Sequence, residues 1–467
     1  MNTVLRHDLN QRSALLDSAV SEAIRFLDTL PLHPAAVNPV SRPKADNTQP
    51  VLPDQGLGAE AALRRFKTRH VSGLSGSAGP RYLGFVTGGA TPAALLGDWL
   101  AAVYDQNVAG DEDSSAPQVE QETIHLLRQL FGLPDPFHGT FVSGATISNF
   151  VGLAQGRQWA GRKLGRDLAQ EGLYNLPPIP ILSATPHSSV YKSLAMLGMG
   201  REIHRIQTLP GREAVDVSAL AAALKQFNGR PSIVVANAGT VNTVDFDDLR
   251  AIAALRKQFE FWLHVDGAFG GFAACSSQYE HFTAGLEAAD SITIDAHKWL
   301  NVPYDSAMQF SRHLDLQLAV FQNSAVYLGS VSAESFPGLV HWTPQNSRRF
   351  RALPAWMTLM AYGRTGYRDI VERNCAQAHL LGQRVDAAPQ FNLLAPVNLN
   401  VTCFTLAGEP SLEDVQQFLA KLRDDGRVYL TPTLFKGKPA IRAAFSNWLT
   451  ELADVDICWE ALLQMAG

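Results

Sequence analysis

Apolar and polar positions along this chain change period several times. In the opening stretch, MNTVLRHDLNQRSALLDSAVSEAIRFLDTL, apolar residues recur at helical spacing among acidic ones. That pattern predicts an amphipathic helix rather than a cleavable leader. From Pro31 to Gly58 the periodicity fades into a run rich in Pro, Asn and Asp, the composition of an extended arm. Helical spacing returns after the Gly- and Thr-rich loop in FVTGGATPAALLGDWL, most clearly over Val119–Phe131.

From about Gly139 to Ser311, short β-rich runs alternate with helical ones. GTFVS precedes a helix from Ile147, IPILSA a helix from Ser188, and SIVVANAG the stretch Phe246–Phe259; FWLHVDGAFG and SITIDAHKW follow. Such alternation predicts an α/β fold, a mostly parallel sheet with helices on both faces. Ligands of these sheets gather at the carboxyl ends of the strands. Helical spacing resumes over Pro354–Arg373. Beyond it, short strands (FNLLAP, NVTCFTLA, RVYLTPTLF, AIRAAFS) mix with helices such as Leu412–Leu422. The expected organisation is an N-terminal helical segment and arm over 1–78, a large domain over 79–350 and a small α+β domain over 351–467.

Composition narrows the class. The 467 residues are 46% hydrophobic and 18% charged, with a formal net charge of -5 and no long basic run. Neither nucleic acid nor an anionic membrane is an expected partner, and no apolar run reaches the roughly 18 residues of a membrane span. Cys275, Cys375, Cys403 and Cys458 lie far apart without a CxxC pair, so neither a disulfide framework nor a metal site is expected. A cytoplasmic enzyme acting on a small molecule fits these features.

Five polar features fall at predicted strand ends. Lys298, after SITIDAH, is a partly buried amine whose lowered pKa would make it a nucleophile toward an aldehyde; it also reads as a lysine snorkelling at a strand end. Asp266, closing FWLHVD, can pair with a protonated pyridine nitrogen, and equally can cap a turn. The turn Ser143–Thr146, with Gly144 and Ala145, opens a helix as a phosphate cradle or as an ordinary N-cap. His187 in SATPHSSVYKS reads as a ring-stacking imidazole or a structural one. Thr240 in NAGTVNT reads as a ligand hydroxyl or as turn chemistry. Singly each is ambiguous; together they place complementary groups at successive strand ends of one sheet.

The ordered set SGATISN, PHSSVYKS, AGTVNT, HVDGAFG, DAHKW and SRRFRALPAW resembles the group II pyridoxal-dependent decarboxylases, from about Gly79 to Arg373 and more loosely beyond. The resemblance implies a fold-type I architecture with a seven-stranded sheet and pyridoxal 5'-phosphate (PLP) as cofactor. It also implies a homodimer with interfacial active sites. The reaction it implies is decarboxylation of an L-amino acid through Schiff-base exchange at Lys298 and a quinonoid, releasing CO2 and an amine. By motif, Lys298 would hold the cofactor, Asp266 its ring nitrogen, and His187 and Ala268 the two ring faces. Gly144, Ala145, Thr146 and His297 would take the phosphate, and Thr240 would lie near the ring hydroxyl. Arg442 in AIRAAFS is a candidate for the substrate carboxylate, or else a strand-end surface pair.

The sequence departs from the family at two places. The loop tyrosine that usually precedes the SRRFR-like motif is absent from its expected place near Leu339, and Tyr327 lies too far upstream. His341 is then the candidate proton donor, with Trp342 beside it, and an aldehyde or keto product becomes the alternative outcome. An aminotransferase, or more remotely a non-catalytic binding protein, completes the alternatives. In the substrate loop, Thr87 and Gly88 of FVTGGAT stand where aromatic decarboxylases carry bulkier residues, so dopa or tryptophan does not follow from the resemblance and the substrate stays open.

Overall fold

The computed structural model describes residues 1–38, 51–110, 113–227, 229–323 and 338–467. Seven strands form the larger sheet: β1 (His138–Val142), β2 (Ile181–Ser183), β3 (His204–Arg205), β4 (Ser232–Asn237), β5 (Phe261–Asp266), β6 (Ser291–Ile294) and β7 (Ala307–Ser311). Their order is β1-β7-β6-β5-β4-β2-β3. All neighbours pair in parallel except β7, which runs antiparallel to both β1 and β6. The sheet is therefore mostly parallel, as the alternating pattern predicts. Sequence reading finds neither β3, a two-residue exposed strand, nor β7, whose AMQFS follows the Lys298 turn without a helix between.

Strands β4 and β5 are buried along their whole length, so they read as near-continuous apolar runs. The helix Ala145–Lys163 crosses behind them and is held there by small residues. A Cβ on Gly152 would stand 2.7 Å from the His264 ring, and one on Gly156 would stand 2.9 Å from Trp262. Backbone and sheet approach closely because those side chains are missing.

The four short C-terminal strands β8 (Phe391–Leu393), β9 (Val401–Leu406), β10 (Thr431–Phe435) and β11 (Lys438–Ala444) make a second, antiparallel sheet in the order β10-β11-β9-β8. It packs its own apolar cluster, including Phe404, Phe418, Phe445 and Leu462. Between the sheets runs Ala352–Ala387, a long helix broken at Gly363 by a left-handed residue (φ 58°). At the other end of the chain the predicted single helix is two, Thr3–Asn10 and Arg12–Thr29, and neither buries a residue within this chain. The four cysteines are free and buried. Among the described residues no helix is long and apolar enough to cross a membrane.

The SRRFR segment has a structural role. Arg348, with its side chain buried, pairs with buried Glu120 at 2.7 Å and donates to Val108 O, Thr140 Oγ1 and Phe141 O. It ties that segment to β1 through Thr140 and Phe141.

Candidate active site

Asp266 ends β5, and Lys298 lies on the one-turn helix Ala296–Trp299 that follows β6. Adjacent parallel strands that stop at the same level bring these two side chains to one cavity of about 270 Å³. Its walls also hold His187, Thr240, Ala268, His297, Thr87 and Arg442. Of the five strand-end features, Lys298, Asp266, His187 and Thr240 meet at this cavity, while the turn Ser143–Thr146 is not among its lining residues. The cavity adds residues that sequence reading missed: Phe85, Thr185, Asn237, Phe269 and Tyr304.

Each polar group has definable surroundings. Lys298 Nζ sits 3.4 Å from Asp295 Oδ2 and 5.4 Å from the Phe269 ring centre. Asp266 is buried, accepts from Asn149 Nδ2 at 3.0 Å and from the Ala268 N–H at 3.2 Å, and is paired with no cationic side chain among the described residues. A buried carboxylate without a cation suits a ligand that brings the positive charge itself. His187 presents its ring to the cavity and accepts at Nδ1 from Ser189, while desolvation lowers its pKa against the opposing field of Asp266. His297 is likewise lowered by burial; its Nδ1 lies 3.4 Å from Asp295 Oδ1 yet makes no hydrogen bond.

The turn Gly144–Thr146 opens the helix Ala145–Lys163 without a side-chain cap. The Ala145 N–H is taken by Asp295 Oδ1, and a Cβ on Gly144 would meet the His297 ring at 3.6 Å. A helix start that lacks its own N-cap side chain, beside the His297 imidazole, fits an anionic group such as a phosphate.

Four candidates sit differently from the sequence expectation. Thr240 lines the cavity, but its hydroxyl donates to Glu213 Oε2 at 2.6 Å and accepts from the Asp245 N–H, so its proton is engaged away from any ligand. Gly88 packs beneath the lysine: a Cβ there would stand 2.0 Å from Lys298 O and from Asn301 Nδ2. It makes a close backbone approach and is not among the residues that line the cavity. His341 is buried in the turn Leu339–His341, where its Nδ1 accepts from the Asn323 N–H. Trp342 is fully buried, edge-on to His138. Neither reaches the cavity within this chain, because the apolar turn that carries them packs into the core. Tyr327 lies outside the described residues.

The substrate-loop expectation also changes. The small residues of FVTGGAT do not empty the cavity mouth, because Phe85 stands there with Tyr304. Phe85 joins Tyr82 and Tyr429, whose rings stack at 4.9 Å. Side-chain direction, which a loop sequence does not reveal, decides which residue of the segment faces inward.

A lysine amine, a buried carboxylate without a cation and an imidazole line one cavity, and the helix start at Gly144 lies beside the His297 of its wall, a set that suits a phosphorylated pyridine aldehyde. The family described as "Pyridoxal-dependent decarboxylase conserved domain" matches residues 47–407. Aromatic-L-amino-acid decarboxylase of Bacillus atrophaeus is 28% identical, over 85% of this chain and 83% of that enzyme. The 3,4-dihydroxyphenylacetaldehyde synthase of Aedes aegypti is 27% identical, over 87% and 80%. In fold, the chain is similar to Oryza sativa TDC solved with PLP and tryptamine, with a TM-score of 0.88 and 23% identity over 98% of each chain. This chain belongs to the pyridoxal-dependent decarboxylase family. It is a PLP-dependent carboxy-lyase of the amino-acid decarboxylase class.

Proposed function

We propose that the enzyme removes the carboxylate of an aromatic L-amino acid and releases the amine. The observation that carries this reading is one cavity uniting Lys298, Asp266, His187 and Arg442 with an aromatic mouth of Phe85 and Tyr304. PLP supplies an aldehyde for the amine and a ring that takes up the electron pair left by departing CO2. Lys298 Nζ is the amine that anchors the cofactor. Asp266 balances the ring nitrogen, His187 and Ala268 flank the ring, and Gly144, Ala145, Thr146 and His297 receive the phosphate.

Arg442 holds the substrate carboxylate in this reading. It is buried, donates to Val241 O and Gly84 O, and forms no ion pair among the described residues, while its Nε has no partner. A guanidinium so placed has its charge available for an incoming anion.

Proton delivery falls to Tyr304. Its phenol is raised above the ordinary value by partial desolvation, although the side chain is 61% exposed within this chain, so Oη carries its proton at neutral pH, and its ring lies 4.4 Å from that of His297 on the cavity wall. Tyr304→Phe is expected to slow amine formation about 100-fold, the lower end of general-acid contributions. Mass-spectrometric product analysis against a panel of L-amino acids checks it, and an unchanged amine rate would remove Tyr304 from this role. The second reading, an aldehyde product formed with O2 as oxidant, is favoured by the burial of His341 away from the cavity and by the similarity to an aldehyde synthase. Running the same assay with and without O2 separates the two: amine with stoichiometric CO2 supports decarboxylation, and an O2-dependent aldehyde supports the alternative.

The enzyme works as a cytoplasmic homodimer in this proposal. Leu5, Leu9, Leu16, Val20, Ile24 and Leu27 form an exposed apolar stripe along the first two helices. Leu96, Trp99 and Val103 form another at i, i+3, i+7 of the helix Pro92–Tyr104. Light scattering should therefore give twice 50.8 kDa, and a stable monomer would contradict the dimer.

A further inference from the structure

One face of β5 meets one face of the helix Ala145–Lys163. Trp262, His264 and Asp266 share the strand face by their spacing of two, and Asn149, Gly152 and Gly156 share the helix face as i, i+3, i+7. Between them runs a continuous line of hydrogen bonds with no described role in catalysis. Trp262 Nε1 donates to Ser291 Oγ at 3.0 Å, and Ser291 Oγ lies 2.8 Å from His264 Nδ1. His264 Nε2 lies 2.8 Å from Asn149 Oδ1. Asn149 Nδ2 donates both to Asp266 Oδ2 at 3.0 Å and to Ser189 Oγ at 3.1 Å, and Ser189 Oγ lies 2.8 Å from His187 Nδ1.

The proton direction along this line is set from both ends. An indole N–H only donates and a carboxylate only accepts. Asn149 must turn its NH2 toward Asp266, so its oxygen accepts from His264 Nε2–H. His264 Nδ1 is then unprotonated and accepts from Ser291, whose oxygen already receives the Trp262 N–H. At the other branch Ser189 receives from Asn149 and therefore donates to His187 Nδ1, which also accepts the Ser189 N–H at 3.3 Å. Neutral His187 is left with its proton on Nε2.

We infer that His264 is a positioning residue for the cofactor: through Asn149 it orients the Asp266 carboxylate and fixes His187 in the Nε2–H tautomer. Two independent features agree. Gly152 leaves the space that the His264 ring fills, since a Cβ there would lie 2.7 Å from both Nδ1 and Cε1. Burial also lowers His264 to about 4, so the ring stays neutral at neutral pH, as the line requires. The line joins the carboxylate and the imidazole that face the cofactor, and Ser189, whose N–H and hydroxyl both meet Nδ1, completes the hold on His187. Outer partners of metal ligands change affinity by about 10- to 100-fold, and the same scale is expected for this line.

This inference rests on the reading of Asp266 and His187 as cofactor-facing groups, and the test separates the two. Histidine-selective 15N NMR of the apo protein, assigned with His264→Gln and His187→Gln, reports tautomers without any cofactor. Both rings should carry their proton on Nε2; an Nδ1–H tautomer at either position overturns the inference. PLP affinity, read by visible absorbance, then compares His264→Leu, which removes the donor to Asn149, with His264→Gln, whose amide N–H can replace Nε2–H. The leucine variant should bind PLP at least about tenfold more weakly and the glutamine variant should recover most of that loss. Equal losses in both, or none in either, reduce His264 to core packing and refute the inference. Should the leucine variant not fold, the wild-type tautomers and the glutamine variant still decide. If instead Asp266→Asn binds PLP and turns over as wild type, the reading of Asp266 itself fails.

Discussion

Lys298→Ala is expected to abolish the visible absorbance that wild-type enzyme develops with PLP and to cut turnover by more than about 1,000-fold. Lys298 is the amine that opens on the cavity beside His187 and Asp266, with Asp295 3.4 Å from its Nζ. Its backbone is braced from below by the missing side chain of Gly88 and by Asn301, which donates to Lys298 O at 3.0 Å. Alanine removes the amine and leaves that brace intact, so the fold should survive. An absorbance titration with PLP and an amine assay on the same preparation check the prediction. Retained absorbance and turnover would move the active site elsewhere.

Asp266→Asn is expected to keep PLP bound and to lower turnover by about 100- to 1,000-fold, equivalent to roughly 3–4 kcal/mol of transition-state stabilisation. The substitution preserves volume in a buried position, so packing against the helix Ala145–Lys163 changes little. It removes the negative charge that would keep the ring nitrogen protonated and the ring able to accept electrons. The amide also leaves Asn149 Nδ2 facing a weaker acceptor. The diagnostic result is a fall in kcat larger than the loss in PLP affinity. A wild-type rate in this variant would exclude Asp266 as the ring partner.

Much of the architecture was legible because burial leaves a one-dimensional trace. The apolar runs of β4 and β5 and the helical spacing of Ala116–Phe131 and Leu412–Asp425 are visible without coordinates. Strand ends in a parallel sheet point the same way, so Asp266, Lys298 and His187 could be grouped from their offsets alone. The failures share a cause. His341 and Trp342 follow the expected place of the loop tyrosine in sequence, yet the apolar Leu339 and Val340 pull that turn into the core. Thr87 and Gly88 of FVTGGAT were read as substrate-loop residues, but Gly88 faces the Lys298 backbone while Phe85 lines the cavity with Thr87. Tyr304 was passed over because nothing in a single polar turn marks which side chain borders the cavity.

By itself the sequence determined the α/β alternation, the pairing of Lys298 with Asp266 at neighbouring strand ends, and membership of the family, since these follow from local period and motif order. Only the tertiary structure decided the tautomer-setting line from Trp262 to His187, the engagement of the Thr240 hydroxyl by Glu213, and the aromatic cavity mouth. Those depend on contacts between residues far apart in the chain, Asn149 with Asp266 or Gly88 with Asn301. Hydrogen-bond direction and side-chain facing are properties of two surfaces meeting, and neither surface carries them alone.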